Sequence, residues 1–497
     1  MAIRISPKLL RQFTRPLSST PSSTVAAVSP LNLDEKPGPE PEPTTTIPKP
    51  PIINAQSYVL DFHDVGKLFS SVLTAKLLRS TVNLHAVAID PMVDIGIWVM
   101  RSKLMETPVI RDVILSAIKH TFYEQFVAGK DLEETGRTVR KIWDAELRAM
   151  LFYGSEHAHD NESCDRNFEA YLTTVESSKS LPPSSVSFMV VKISAICPIS
   201  LLESVSNLLR WQKKEPSFSL PWKLDTLPIF SDSSPLYHTL EKPDPLTREE
   251  EIDLELGHQR LLNLCRRCAE LNIPLSVDAE ETKVQPAIDY LTYSAAIMIN
   301  EGGHQGHPIV FGTMQAYLKD ARERMLLVVN GARKIGVPVG FKLVRGAYMA
   351  SERKVAASMG FESPIHGCIE DTHACYNDCA SFMLDKVAHG FGGVVLATHN
   401  IESGRLAAKR ARDLGIGKEN ERIQFAQLYG MSETLSFGLK NAGFRVSKYL
   451  TFGPVAEVMP FLLRRAEENR GLLSSSSLDR QLMRKELSRR LMAGFLR

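Results

Sequence analysis

The stretch VGFKLVRGAY, residues 339–348, decides the fold. It begins as a β-prone, largely apolar run, and the glycine near its end favours a turn. A helical stretch, ARERMLLVVNGARKIG (321–336), precedes it. A helix, then a strand, then a glycine turn is the pattern of a parallel sheet whose strands are connected by helices.

Seven further runs share this character, each followed by a polar or glycine-containing turn and usually by a helical stretch. They are AMLFYG (149–154), VSFMVVKIS (186–194), IPLSVDAEE (273–281), PIVFGTMQAY (308–317), GGVVLATHN (392–400), RIQFAQLYGM (422–431) and RVSKYLTFG (445–453). Because several of these strands are apolar throughout, both faces of the sheet should be covered. The pattern predicts an α/β fold, most simply a (β/α)8 barrel of the TIM type. The barrel should occupy residues 146–473, with an insertion at 197–250 that is rich in Pro, Ser and charge.

The segments before the barrel differ from it in composition. Residues 1–33 are basic, rich in Ser and Thr and free of acidic residues, which is typical of a mitochondrial transit peptide. An ordinary disordered tail is the alternative. Residues 34–56 are Pro-rich and predict a linker. Residues 57–145 show helical patterns and predict a helical N-terminal layer, in the stretches 60–80, 92–106 and 112–129.

Composition excludes several classes of protein. The 43% hydrophobic content is that of a globular protein, and a formal net charge of +2 argues against nucleic acid as the main partner. Seven cysteines scattered along 497 residues do not form a secreted disulfide framework. The lone CxxC at Cys265 and Cys268 fits a buried structural role better than a metal site. His304 and His307 form an HxxH before a strand, which is usually a loop, so no metal is expected.

Polar residues stand at the ends of the predicted strands, where the active site of a barrel lies. They are Lys192, Asp278, Gln315, Lys342 with Arg345, Thr398 with His399, Gln427, and Tyr449. Several cations, one acid and several amide or aromatic groups therefore converge at one mouth. Such a set could hold a small anionic ligand.

FLLRRAEENR, residues 461–470, predicts a helix with adjacent arginines, Arg464 and Arg465. An isolated pair of this kind most often lies on a solvated face. The alternative is a fork for a planar carboxylate or phosphate, which suits guanidinium geometry. The helix follows the eighth strand, so its first turn faces the barrel mouth, and this position favours the fork.

Six motifs in order resemble the proline dehydrogenase (proline oxidase) family, with a match over about residues 149–470. They are VDAEE, QAYL, KLVRGAY, ATHN, QLYGM and LLRRAEEN. With its N-terminus and insertion, the chain resembles a eukaryotic, mitochondrial, single-function member, plausibly from a plant. The resemblance implies a distorted (βα)8 barrel that binds FAD without a covalent bond. It also implies oxidation of L-proline to Δ1-pyrroline-5-carboxylate, with electrons passing to the respiratory quinone pool.

The resemblance also assigns residues that would bind the substrate. Arg464, Arg465 and Lys192 would clamp the carboxylate, and Asp278 would partner an arginine or balance charge. Tyr348, Leu428 and Tyr449 would wall the pyrrolidine ring. Phe461 stands where many relatives place a tyrosine, so it keeps the apolar contact but lacks the hydroxyl.

The flavin would be held by a distributed set of residues, since the chain has no G-x-G-x-x-G or Walker motif. By resemblance, Gln315 meets the pyrimidine edge, and Lys342 replaces an arginine that bacterial relatives place near N5. The remaining assigned residues are Arg345, Gly346, Ala347, Thr372, Thr398, His399, Gln427 and Glu468.

Two other functions stay open at this stage. Hydroxyproline-oxidising relatives tend to carry a small polar residue at the position of Tyr449, so a tyrosine favours proline. The other alternative is a protein that is not an enzyme. It would be a catalytically inactive relative, or a module that only binds proline or a phosphate ligand.

The tail SSSSLDRQLMRKELSRRLMAGFLR, residues 474–497, is basic, and its first four serines predict a flexible hinge. Its apolar residues recur at helical spacing: Leu478, Leu482, Leu487, Leu491 and Phe495. One reading is a helix packed back onto the barrel. The other is an amphipathic helix lying on anionic lipid at the matrix side of the mitochondrial inner membrane.

Overall fold

The computed structural model describes residues 60–87, 123–301, 307–417, 420–464 and 473–495, with a few isolated positions between 98 and 116. The predicted transit peptide (1–33), the linker (34–56) and most of the stretch 92–106 lie outside the described residues. The described residues belong to one compact unit, 55–497.

Eight parallel strands close into a barrel in the order β1 to β8, each strand pairing with its neighbours along the chain and β1 pairing with β8. The predicted fold class is confirmed. The strands are β1 Arg148–Tyr153, β2 Val186–Val191, β3 Leu275–Val277, β4 Val310–Gln315, β5 Gly340–Val344, β6 Gly393–Ala397, β7 Ile423–Leu428 and β8 Val446–Phe452.

The interior of the barrel is filled by side chains of unequal size. The rings of Phe188 and Phe311 meet edge to face with centroids 4.9 Å apart. A Cβ added at Gly340 or at Gly393 would overlap the ring of Phe311. Glycine therefore starts β5 and β6 because the ring of Phe311 occupies the space that larger side chains would need.

The helices are numbered along the described residues. They are α1 Val65–Leu68, α2 Thr74–Val87, α3 Glu124–Phe126, α4 Leu132–Asp144, α5 Asn161–Ser177, α6 Ile193–Ile196, α7 Ile199–Lys214, α8 Arg248–Glu270, α9 Gln285–Asn300, α10 Ala321–Lys334, α11 Met349–Ser358, α12 Ile369–Ala388, α13 Ile401–Asp413, α14 Glu433–Asn441 and α15 Leu473–Phe495. A further helical segment covers residues 459–464. Helices α1 to α4 lie within the range of the predicted N-terminal layer.

The irregular segment after β2 is shorter than the predicted insertion, 197–250. Residues 199–214 form α7, which packs against α9, and α8 begins at Arg248 with a capping box made by Thr247 and Glu250. Residues 215–247, between these two helices, form no regular helix or strand. That residues 197–250 are an insertion into a simple barrel stays a prediction.

The C-terminal helix α15 packs back against α2, α1 and α14. Leu482, Met483 and Leu487 are buried in the core, and the Asp479 carboxylate accepts a hydrogen bond of 3.0 Å from the Thr434 backbone N–H. The predicted serine hinge is wrong, because α15 already begins at Leu473. For most of the apolar face of this helix, the structure therefore supports the interpretation that the helix packs back onto the protein.

No helix within the described ranges is both long enough and apolar enough to span a membrane.

Candidate active site

The carboxyl ends of the strands bring most of the predicted site residues to one mouth of the barrel. Gln315, Leu428 and Tyr449 lie on strands, Lys342 lies inside β5, and Lys192, Asp278 and Thr398 directly follow their strands. Arg464 reaches the same mouth from the helical segment 459–464. Arg465 and Glu468 lie outside the described residues, so their predicted roles stay predictions.

One carboxylate, Glu156, lies between two of the predicted cations. Its oxygens accept hydrogen bonds of 3.0 and 2.5 Å from the two terminal nitrogens of Arg464. The same carboxylate lies 3.3 Å from Nζ of Lys192. A lysine and a bidentate arginine therefore already hold one carboxylate at the barrel mouth, which is the arrangement predicted for a substrate carboxylate.

The charges of this cluster stabilise one another. Burial would raise the pKa of Glu156, but Lys192 and Arg464 together lower it to about 2. Burial would lower the pKa of Lys192, yet Tyr348, Glu156 and Glu280 bring it above its ordinary value. The cluster is thus ionised at neutral pH, because each buried charge has an opposite charge beside it.

Replacing Glu156 with glutamine is expected to flatten the acid dependence of stability. The pKa of Glu156 is about 2 in the folded protein against an ordinary value of 4.5. Its stabilisation is present above pH 4.5 and is lost as the pH falls towards 2, a change on the order of 3 kcal/mol. Between pH 6 and pH 3 the unfolding temperature of the wild type should fall further than that of Glu156→Gln.

The matched control is Glu133→Gln, whose side chain is 82% exposed and pairs with Arg137. This control should follow the wild type. Parallel curves for the wild type and Glu156→Gln would contradict the pairing.

Asp278 pairs with a lysine and a tyrosine among the described residues, and a pairing with Arg465, which lies outside them, stays a prediction. Its carboxylate forms a salt bridge with Lys342 and accepts a hydrogen bond of 2.8 Å from the Tyr449 hydroxyl. Nζ of Lys342 lies 5.3 Å from the centre of the Tyr449 ring. Asp278 therefore balances the charge that Lys342 brings into the mouth, which was the other predicted role.

Tyr348 contacts both Lys192 and Arg464. Its hydroxyl accepts a hydrogen bond of 2.9 Å from Nζ of Lys192, and the Arg464 guanidinium lies 5.9 Å from its ring centre. Its backbone is left-handed, with φ 58°, directly before α11. This conformation is uncommon for a bulky residue and needs support from the surrounding structure.

Leu428 and Phe461 contribute apolar surface beside these polar groups. Phe461 is buried in a cluster with Tyr123, Phe126 and Val458, and Leu428 and Tyr449 pack against that cluster. The predicted contact of Phe461 with the substrate ring stays a prediction.

The predicted cofactor residues form a second group around β5, β6 and α12. Arg345 donates a hydrogen bond of 2.6 Å to the Thr398 hydroxyl and lies 4.1 Å from the ring centre of Tyr376. His373, next to Thr372 on α12, lies 3.3 Å from Arg345. Thr372 is buried. Basic and aromatic groups thus meet here beside the loop that contains Ala347.

Gly346 opens this loop. Its φ of +97° favours glycine, and a Cβ added there would meet no atom within 4 Å. Backbone is therefore presented to open space at the position where the resemblance places a cofactor.

The two glutamines differ in how their polar groups are used. The Gln427 carbonyl oxygen accepts a hydrogen bond of 2.9 Å from Ser436, and its amide donates to Thr398 O at 3.3 Å. Gln315 donates to Glu280 O at 2.8 Å, but its buried carbonyl oxygen has no hydrogen-bond partner. An unsatisfied buried acceptor is costly, so this oxygen is suited to a donor from a ligand.

His399 accepts a hydrogen bond of 3.1 Å from the Leu428 backbone N–H.

Sequence reasoning missed two carboxylates of the site, Glu156 and Glu280. Glu280 is buried, accepts a hydrogen bond of 2.8 Å from Ser194, and lies 4.0 Å from Nζ of Lys192. Both follow a strand within three residues, so the strand-end rule could have found them. The sequence analysis took only one acid, Asp278, from these strand ends.

A metal site is not supported by this geometry. Within the described ranges, no three His, Cys, Asp or Glu residues are grouped so that they could hold a metal ion. His304 lies outside those ranges. Cys265 and Cys268 are buried on α8.

The sequence matches known proteins over most of its length. The family model described as Proline dehydrogenase matches residues 135–478. Proline dehydrogenase 1, mitochondrial, of Arabidopsis thaliana is 57% identical over 457 residues, which are 91% of this chain and 91% of that protein. Proline dehydrogenase 2, mitochondrial, of the same plant is 52% identical over 491 residues, which are 98% of this chain and 100% of that protein. Human hydroxyproline dehydrogenase is 33% identical over 90% of this chain and 96% of that protein.

Solved structures agree on the fold. Proline utilization A of Bdellovibrio bacteriovorus, inactivated by N-propargylglycine, superposes with a TM-score of 0.57 at 19% identity over 82% of this chain. This chain spans 41% of the length of that protein. At such identity the superposition shows the barrel fold alone. The family match over more than half of the residues, together with the near full-length plant relatives, shows that this chain belongs to the proline dehydrogenase family of oxidoreductases.

Proposed function

We propose that the protein oxidises L-proline to Δ1-pyrroline-5-carboxylate with FAD as its cofactor, as the first step of proline catabolism. The observation that carries this proposal is the pairing of Lys192 and Arg464 around one carboxylate, that of Glu156. A substrate carboxylate that enters the mouth can share these cations or take over contacts that Glu156 makes. Arg465, adjacent in sequence, is proposed to join them.

The residues present fit a flavin. The buried Gln315 oxygen has no partner, and the loop at Gly346 leaves open space beside backbone. Bound FAD would accept the hydride from the ring carbon next to the proline nitrogen. The proposed cofactor residues are Gln315, Lys342, Arg345, Gly346, Ala347, Thr372, Thr398, His399, Gln427 and Glu468.

The chain itself contributes orientation and exclusion of water. Lys192 and Arg464 fix the anionic end of proline, so the ring can point in one direction only. Tyr348 and Tyr449 supply flat walls, and Leu428 and Phe461 add apolar surface. The Tyr449 hydroxyl is held by Asp278 at 2.8 Å, which fixes that wall in place.

Anaerobic addition of proline to purified protein tests the proposal. The protein should be yellow, and its flavin absorbance near ~450 nm should bleach. Protein that stays colourless after FAD is supplied would contradict the enzyme function. Yellow protein that proline does not bleach would favour the module that only binds.

Proline is the proposed substrate, in preference to hydroxyproline, because Tyr449 fills the space that an added ring hydroxyl would need. Replacing Tyr449 with serine should raise the ratio of kcat/KM for trans-4-hydroxyproline to kcat/KM for proline at least ~10-fold. The measurement is steady-state kinetics with a soluble dye acceptor. A wild type that oxidises hydroxyproline faster than proline would contradict the proposal.

The protein is proposed to act in the mitochondrion, at the matrix side of the inner membrane, and to pass its electrons to a quinone. The two plant relatives are named mitochondrial. The outward face of α15 carries Arg484, Lys485 and Arg489 together with Leu491 and Met492, all exposed. Basic and apolar groups on one exposed helix suit peripheral contact with anionic lipid.

Reversing two of these charges, Arg484→Glu with Lys485→Glu, should weaken binding to cardiolipin-containing liposomes at least ~10-fold at low salt. Activity with a soluble dye should not change. These point substitutions are sharper than removing α15, because deletion would also uncover the core at Leu482 and Leu487. The control is the pair Arg166→Glu and Lys179→Glu on and just after α5, where equal weakening would contradict a role for α15.

A further inference from the structure

Glu352 is a buried carboxylate next to the site that the proposed chemistry does not use. It lies on α11, and its backbone N–H bonds to the carbonyl of Tyr348 at 3.0 Å. Its side chain is directed to the loop after β3. One carboxylate oxygen accepts a hydrogen bond of 2.6 Å from the Thr282 backbone N–H, and the other accepts one from the Thr282 hydroxyl.

Thr282 is fixed from its other side as well. His238, in the irregular segment 215–247, lies 2.8 Å from the Thr282 hydroxyl oxygen through its Nε2. Because that hydroxyl donates to Glu352, His238 is the donor in this pair. Arg210, fully buried on α7, donates to the Thr282 carbonyl and, at 3.1 Å, to that of Lys283.

The loop that these groups fasten carries two residues of the site. Asp278 holds Tyr449 and Lys342, and Glu280 lies beside Lys192. On the other side of the bond, Glu352 lies one turn after Tyr348, whose left-handed backbone has a conformational cost. The bond between Glu352 and Thr282 thus connects the start of α11, directly after Tyr348, to the loop whose Asp278 holds Tyr449.

We propose that Glu352 is a positioning residue for proline: it holds Tyr348 at a fixed distance from the loop that bears Asp278 and Glu280. This inference rests on the proposed function of the site. Among the described residues, the hydrogen bonds of the Glu352 side chain go to Thr282 and not to Lys192 or Arg464, so it acts through Thr282 and Tyr348. Its loss should therefore affect substrate binding more than the hydride step.

Four variants test this role. Glu352→Ala removes both acceptors and should raise the KM for proline about 10-fold, with kcat changed less than about threefold. Glu352→Gln keeps an acceptor for the Thr282 N–H and should raise KM only about threefold. Thr282→Val removes the hydroxyl alone and should resemble Glu352→Gln. Arg353→Ala, exposed on the same helix, is the control and should keep the wild-type KM.

A second readout needs no turnover. Cyclopentanecarboxylate has the ring and the carboxylate of proline but no nitrogen to oxidise. The concentration that half-saturates its stabilisation of the unfolding temperature should rise in the order wild type, Glu352→Gln, Glu352→Ala. If Glu352→Ala does not fold, the double variant Glu352→Gln/Thr282→Val decides. Its half-saturating concentration should be no higher than that of the weaker-binding single variant, because both changes act on one contact.

The outcomes separate this inference from the function on which it rests. An active wild type whose Glu352 variants keep the wild-type KM, or match Arg353→Ala, would overturn the positioning role alone. Additive effects in the double variant would also overturn it. A wild type that proline does not reduce would overturn the proposed function and this inference together.

Discussion

Lys192→Met is expected to lower kcat/KM for proline at least ~100-fold, mainly through KM. The side chain of Lys192 is only 5% exposed, and its Nζ lies 2.9 Å from the Tyr348 hydroxyl and 3.3 Å from Glu156. A charge-assisted contact to the substrate carboxylate is worth ~1.5–3 kcal/mol, and the loss of Tyr348 orientation adds to it.

The same substitution leaves the carboxylates of Glu156 and Glu280 without the lysine between them. Removing one partner of a buried ion pair costs ~3–5 kcal/mol, so the unfolding temperature should fall as well. Lys192→Arg keeps the charge, and it should fold and recover part of the affinity if the methionine variant does not fold. Lys354→Met, exposed on α11, is the control for loss of a lysine near the site. An unchanged KM in well-folded Lys192→Met would remove Lys192 from the carboxylate clamp.

Arg464→Met is expected to raise the KM for proline at least ~10-fold, because a charge-assisted contact of ~1.5–3 kcal/mol is lost. Its effect on folding should be smaller than that of Lys192→Met. The Arg464 side chain is 22% exposed, and Glu156 keeps Lys192 as a partner when the arginine is removed. The measurement is proline KM with a dye acceptor, together with the flavin spectrum to confirm that the cofactor is bound.

The control for Arg464→Met is Arg166→Met on α5, whose side chain is 62% exposed and pairs with Glu162. It should leave KM unchanged. If Arg464→Met shows a normal flavin spectrum and a wild-type KM, the arginine belongs to a solvated face and the fork interpretation is wrong.

Local patterns in the sequence were sufficient for the fold. Each β-prone run followed by a turn and a helix is a short-range signal, and eight of them leave few arrangements other than a closed parallel barrel. The same rule that active sites follow strand ends led to Lys192, Asp278 and Lys342, which the structure brings to one mouth. The resemblance to proline dehydrogenases depends on the same strand ends.

Pairings between residues far apart in the chain were decided only by the tertiary structure. Arg464 and Glu156 are 308 positions apart, and no local pattern links them. The sequence suggested Asp278 as an arginine partner or as a charge balance, and the folded barrel places Lys342 beside it. The charges were visible in the sequence, but which opposite charge lies within hydrogen-bond distance depends on the closed geometry of the barrel.

The tail shows the same division between local pattern and tertiary contact. The amphipathic spacing of Leu482 and Leu487 predicts an apolar helix face, but such a face can cover either a membrane or the protein itself. The structure places these residues against the core and leaves Leu491 exposed. Thus the sequence by itself determined the strands, most of the helices and the residue types at the barrel mouth, because these follow from neighbours along the chain. Only the tertiary structure decided which charges pair and which apolar faces are covered, because these depend on contacts between distant segments.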